Sequence, residues 1–233
     1  MMKPLKIHLS ILVCLFSLSS CELSEIDNYD APNATISGGV YDVETKELVQ
    51  QDIIRGGQIE YVEQGYNNPQ NQYMVLKNDG TYQNKLMFAN TYTMQLVRGN
   101  FVPLEKQEVV VKGDTKLDFQ VQPYIRVKNA NIVKQDNKII ATFNIQQTVS
   151  NEVSRIGLFA HEEVNVGDPL HVVATRQDIN VATSESTLYT LEIDLAAHQG
   201  SLKPGSAYYF RVGGLINASE AKYNYAPAVR ITL

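Results

Sequence analysis

Apolar and polar residues alternate with period two over most of the chain from residue 34 onward, and no long stretch shows the 3.6-residue repeat of a helix. The expected class is therefore all-β. In the first half, Ala34–Val43, Gln58–Gln64, Gln72–Lys77, Thr91–Arg98, Glu108–Lys112 and Thr115–Gln122 read as strands. Within Thr91–Val97, Tyr92, Met94 and Leu96 point one way while Thr93 and Gln95 point the other; in Thr115–Gln122, Leu117, Phe119 and Val121 form the inward set. Asn78-Asp79-Gly80 between two runs predicts a hairpin turn, because Gly80 can take a positive φ. Pro123 closes this series, and Tyr124–Lys134 opens a second one. There Ala141, Phe143 and Ile145, then Leu191, Ile193 and Leu195, then Tyr208, Phe210 and Val212 alternate with polar neighbours. Two β-sandwiches in tandem are expected, over residues 34–123 and 124–233.

The N-terminal segment follows a different pattern. Lys3 and Lys6 precede the apolar run Ile11–Phe16, the layout of a secretory signal over residues 1–20. That run is well short of the roughly 20 apolar residues a membrane-spanning helix needs. It ends at Leu18-Ser19-Ser20-Cys21, which resembles the bacterial lipobox; the resemblance implies cleavage before Cys21 and lipid on its sulfur. The alternative is an ordinary signal peptide with a chance cysteine. Loss of residues 1–20 would remove Cys14 and leave Cys21 as the sole cysteine, which argues against disulfides and thiolate metal sites. Residues 21–33 then read as a tether whose stretch 22–30 holds Glu22, Glu25, Asp27 and Asp30 and no base. Acids placed so resemble an export signal of Bacteroidetes lipoproteins for the outer face of the outer membrane, although a merely soluble linker would look alike. The formal net charge of −5 becomes about −7 once Lys3 and Lys6 are gone. Without a basic stripe, nucleic acid is not an expected partner.

Two resemblances refine the modules. The order Ile36-x-Gly38-x-Val40-x-Asp42, Asn78-Asp79-Gly80-Thr81-Tyr82, Asn90-Thr91-Tyr92-Thr93, Lys116-Leu117-Asp118-Phe119 resembles the carboxypeptidase-regulatory-like or Cna-B-like fold, except that Asn90 stands where a glycine is usual. Leu202-x-Pro204-Gly205-Ser206-x-Tyr208-x-Phe210-x-Val212 resembles the corner and following strand of a fibronectin type III domain, in which the tyrosine hydroxyl bonds back to upstream backbone. That family's usual tryptophan is missing, and Phe143 is the expected substitute. The whole layout resembles an uncharacterised family of Bacteroidetes lipoproteins encoded beside SusC/SusD-type nutrient transporters. This implies accessory work in nutrient capture, most often of glycans.

The sequence carries few groups arranged for chemistry. His161, His171 and His198 lack any spacing that would bring two imidazoles to one metal, and the aspartates never approach a calcium-loop pattern. No metal, cofactor or catalytic constellation is assigned. Gly38-Gly39 and Gly213-Gly214 lie inside strand-like runs, where glycine marks a bulge or close packing. One charge-poor segment, 61–73, could bind: Tyr61, Tyr66 and Tyr73 offer rings for stacking on sugars, and Asn67, Asn68 and Gln70 offer amides for hydroxyls. The same segment can equally be a hairpin loop whose tyrosines cap the core. Tyr223-Asn224-Tyr225 is a second such candidate, with ordinary sandwich packing as its alternative. Two functions stay open: a ligand-binding accessory lipoprotein of a SusC/SusD-type system, and a structural spacer or adhesion-like module.

Overall fold

A computed structural model describes residues 30–233, so the signal segment, Cys21 and most of the tether lie outside the described residues. The described chain is all-β, two sandwiches in tandem within one compact unit from Pro32 to Leu233. The first is built from β1 (Ala34–Asp42), β2 (Gln58–Glu63), β3 (Gln72–Val75), β4 (Thr81–Met87), β5 (Asn90–Val97), β6 (Gln107–Val111), β7 (Asp114–Lys116) and β8 (Phe119–Val121). One sheet runs β4-β1-β7 with β8 continuing along β1, and the facing sheet runs β3-β2-β5-β6. Strand β1 pairs antiparallel with β4 and parallel with β7 and β8. Alternation holds where the sequence placed it: Tyr92, Met94, Leu96, Phe119 and Val121 are all buried.

Two local readings change. The run Thr115–Gln122 is broken at Leu117-Asp118 into β7 and β8. Leu117 donates its amide to Ser37 O and accepts the Tyr82 hydroxyl on its carbonyl, while Asp118 Oδ1 takes the amide of Gly39. This irregular crossing needs Gly38, because a Cβ there would come within 1.8 Å of the Leu117 carbonyl oxygen. Gly80 does take a positive φ of 87°, but Asn78-Asp79-Gly80 does not join paired strands. Strand β3 pairs with β2 in one sheet and β4 with β1 in the other, so the turn carries the chain across the sandwich. The reason lies in distant backbone: Val40 donates to Gly80 O and Gln51 to Asn78 O.

The second sandwich comprises β9 (Ile125–Gln135), β10 (Lys138–Gln147), β11 (Val153–His161), β12 (Val173–Val181), β13 (Tyr189–Asp194), β14 (Ala207–Ile216), β15 (Asn224–Tyr225) and β16 (Val229–Thr232). A three-stranded sheet β13-β10-β9 faces β12-β11-β14-β15, with β16 also on β14. Phe143 is fully buried against Tyr189, at 5.9 Å between ring centroids. Tyr208 is likewise buried, and its hydroxyl accepts the amide of Lys203 at 2.9 Å, five residues upstream.

Candidate functional site

The segment 61–73 divides. Tyr61 is 8% exposed and turns into the first core beside Tyr92, whereas Tyr66 and Tyr73 are 62% and 51% exposed. Strand periodicity accounts for the split, since Tyr61 pairs with Gln72 and Glu60 with Tyr73, on opposite faces of the sheet. The Tyr73 hydroxyl donates to Glu60 Oε2 at 3.0 Å. Asn67, Asn68 and Gln70 are exposed in the connecting loop, and the Gln70 side chain folds back on the Asn68 carbonyl at 3.1 Å. These residues therefore do not converge on one ring platform. Cys21 lies outside the described residues. Among the described residues, no group of three or more His, Cys, Asp or Glu could hold a metal ion.

A concave site forms instead where the two sandwiches meet, with a volume of about 390 Å³, within the range of small-molecule pockets. Its first wall comes from the end of β1 and the stretch after it, with Asp42, Glu47, Leu48 and Gln50; its second from the start of β9, with Arg126 and Lys128; its third from β15, with Asn224 and Tyr225. Two acids and two bases among these residues leave no formal charge. The walls are fixed by bonds across the junction. Arg126 grips Asp42 through Nε–Oδ2 at 2.5 Å and Nη2–Oδ1 at 2.9 Å, and reaches Glu44 at 2.9 Å. Burial works against ionisation of Asp42, but the Arg126 hydrogen bond, the Glu44 amide and the Arg126 charge outweigh it and hold the carboxyl below its ordinary range. Asn224 Oδ1 accepts the Ile125 amide at 3.1 Å, and its Nδ2 donates to Asn100 O at 2.8 Å.

Behind the cleft stands Arg211, with none of its surface exposed. Nε donates to Ala226 O, Nη1 to Gln51 O and Val166 O, and Nη2 to Gln50 Oε1 and Asn78 O, at 2.9–3.4 Å. These five bonds match the five donors of a guanidinium and join both sandwiches. The ring of Tyr225 lies 4.2 Å below its Cζ, and Tyr223 stacks on Tyr225 at 5.6 Å. Burial pushes Arg211 down to about 10, so it remains a cation at neutral pH. Tyr223-Asn224-Tyr225 is thus a buried wall of the junction, with both tyrosine rings engaged. Sequence reasoning missed Arg211, Gln51, Asn100 and the Asp42–Arg126 pair. The one local signal was Arg126 beside Pro123, where the sandwiches join.

Residues 34–122 match the N-terminal domain of a protein of unknown function, DUF3823, and residues 125–230 match its C-terminal domain of unknown function. A solved structure from Bacteroides uniformis, to which carbohydrate binding is provisionally ascribed, is 37% identical with a TM-score of 0.81, covering 87% of this chain and all of that one. A DUF3823 protein from Parabacteroides merdae is 23% identical with a TM-score of 0.75, and a second from B. uniformis 19% identical with a TM-score of 0.74. Each spans 87% of this chain and all of its own. No curated protein matches. Two domain matches in register with two sandwiches, and a relative superposing over its full length, assign this chain to the DUF3823 family.

Proposed function

We propose that the protein is a non-catalytic, lipid-anchored accessory protein of the outer membrane that captures a neutral oligosaccharide for a SusC/SusD-type uptake system, facing the cell exterior. The observation that carries this reading is the cleft between the sandwiches: concave, free of net charge, and lined by amide, carboxylate and guanidinium groups already fixed by bonds across the junction. Polar groups held in place recognise sugar hydroxyls without the entropy cost of ordering side chains on binding. The carbohydrate binding ascribed to the B. uniformis relative supports the same ligand class. The lipobox-like Leu18–Cys21 supports the anchor. A three-stranded sheet facing a five-stranded one and the Tyr208–Lys203 bond support a fibronectin type III-like second module, and the parallel β1–β8 pairing supports a regulatory-like first one.

Affinity electrophoresis in gels containing neutral polysaccharides tests the reading. Glu47 and Lys128 line the cleft and make none of the bonds that fasten it. The pair Glu47→Ala and Lys128→Ala should abolish retardation in a folded protein, while Tyr66→Ala with Tyr73→Ala should leave it intact. The opposite result moves the ligand to the 61–73 segment. Loss by neither pair, or no retardation of the wild type by any polysaccharide, favours the second reading. That reading, a rigid spacer, draws on the Arg211 fastening, which holds the two sandwiches in one orientation whether or not a ligand is present.

A further inference from the structure

One end of the first sandwich gathers the features of a lipid-facing surface. The chain enters there from the tether, and Asn33 is stapled to the turn between β4 and β5: its amide donates to Met87 O at 3.0 Å, and its side-chain oxygen accepts the Ala89 amide at 2.8 Å. Met87 turns inward, so the residues on either side of it are left outside, Leu86 at 75% exposure and Phe88 at 40%. The loop carrying exposed Tyr66 lies at the same end, since Asn90, next to that turn, bonds through Nδ2 to Glu63 Oε1 and Gln64 O. Lys85 is exposed beside Leu86. An apolar tip with a flanking tyrosine and lysine is the composition that settles at a membrane interface.

What covers this tip follows from chain length. Twelve residue steps separate Cys21 from Asn33; fully extended they reach about 40 Å, and as a flexible coil they average roughly 20 Å. A lipid on Cys21 therefore keeps Asn33, and the tip bonded to it, within about one module's length of the bilayer. The cleft is at the opposite end of β1, where Asp42 meets Arg126, about 30 Å away along nine residues. We infer that Leu86 and Phe88, with Tyr66 beside them, insert into the lipid interface that holds the anchor and stand the molecule upright with its cleft outward. This rests on the lipoprotein reading above.

The chain contains no tryptophan, so a single introduced one reports its own surroundings. Lipidated Phe88→Trp protein is reconstituted into phosphatidylcholine vesicles with and without bromine on the acyl chains. Flotation with the vesicles reports the anchor; bromine quenching reports the docking. The expected result is flotation, a blue-shifted emission and an about two-fold drop on brominated lipid. Val133→Trp, on an exposed site eight residues along β9 from the junction, should float and stay unquenched. Flotation without quenching at position 88 overturns the docking and leaves the anchor standing. A blue shift that comes only on adding solubilised outer-membrane transporter means the tip meets protein and overturns the lipid assignment. Failure to float removes the anchor, and the docking with it.

Discussion

Asp42 shows how one residue links the sequence pattern to the site. By alternation it ends β1 on the same face as the buried Ile36 and Val40, and what makes burial of a carboxylate tolerable is the two-bond grip of Arg126 from the other sandwich. Its carboxyl is held below the ordinary range, so the folded state binds this proton more weakly than the unfolded chain does. The stabilisation is complete above the unfolded value near 4 and is lost as pH falls through the lower folded value. Asp42→Asn should cost about 3 kcal/mol at pH 7, because a buried guanidinium loses its main counter-charge. Urea midpoints at pH 7 and pH 3 check this: the loss on acidification should be smaller in the variant, and equal losses would locate the acid sensitivity elsewhere. Residues whose roles are local were legible in the sequence. Tyr208 announced its corner through Pro204-Gly205, and the bond to Lys203 is there. Tyr61 and Tyr73 look alike in a list of aromatics, and only the strand register separates core from surface.

At the scale of elements, the alternating runs were legible because a half-buried strand writes its environment into every second residue. Connections were less so. Leu117-Asp118 interrupts a run whose hydrophobic period continues unbroken, since the break is imposed by β1 approaching from 80 residues away. The glycine pair in β1 was the visible trace of that approach, read as close packing without its partner. Gly38→Ala would drive a Cβ into the Leu117 carbonyl, and the neighbour is backbone, which cannot rotate aside. The expected cost is about 3 kcal/mol or failure to fold, by overpacking and loss of the Leu117–Ser37 bond. Gly113→Ala is the comparison: φ is positive but the space is open, so about 1 kcal/mol is expected. Denaturant midpoints of the two variants should separate clearly; equal shifts would mean β7 and β8 can move off β1 at little cost. The Gly80 turn had the right chemistry and the wrong neighbours, because turn residues specify a reversal without specifying which sheet each arm joins.

The whole molecule depends on a residue that periodicity assigned to the surface. Arg211 alternates with Tyr208, Phe210 and Val212 on the face of β14 turned away from the second core, and a single strand cannot tell that a neighbouring sandwich will cover that face. Covered it is, and the guanidinium places one donor on each of five acceptors drawn from both modules. Among the described residues only carbonyl and amide oxygens bond it, so the arrangement fixes direction as well as contact: a rotation of one sandwich breaks several bonds at once. Two modules coupled this way should unfold together. In calorimetry the wild type should give one transition whose van't Hoff and calorimetric enthalpies agree. Arg211→Met keeps much of the volume and the packing on Tyr225 but leaves five acceptors without their donors, at a cost of about 3–5 kcal/mol. The expected outcome is a lower first transition and a separate second one, with the Asp42–Arg126 pair too small a contact to hold the modules in step. Because the cleft is walled by both modules, the same variant should also weaken any ligand bound there while Glu47 and Lys128 remain in place. A single transition at an unshifted temperature would assign the coupling to the apolar and amide contacts around Asn100 and Asn224 instead.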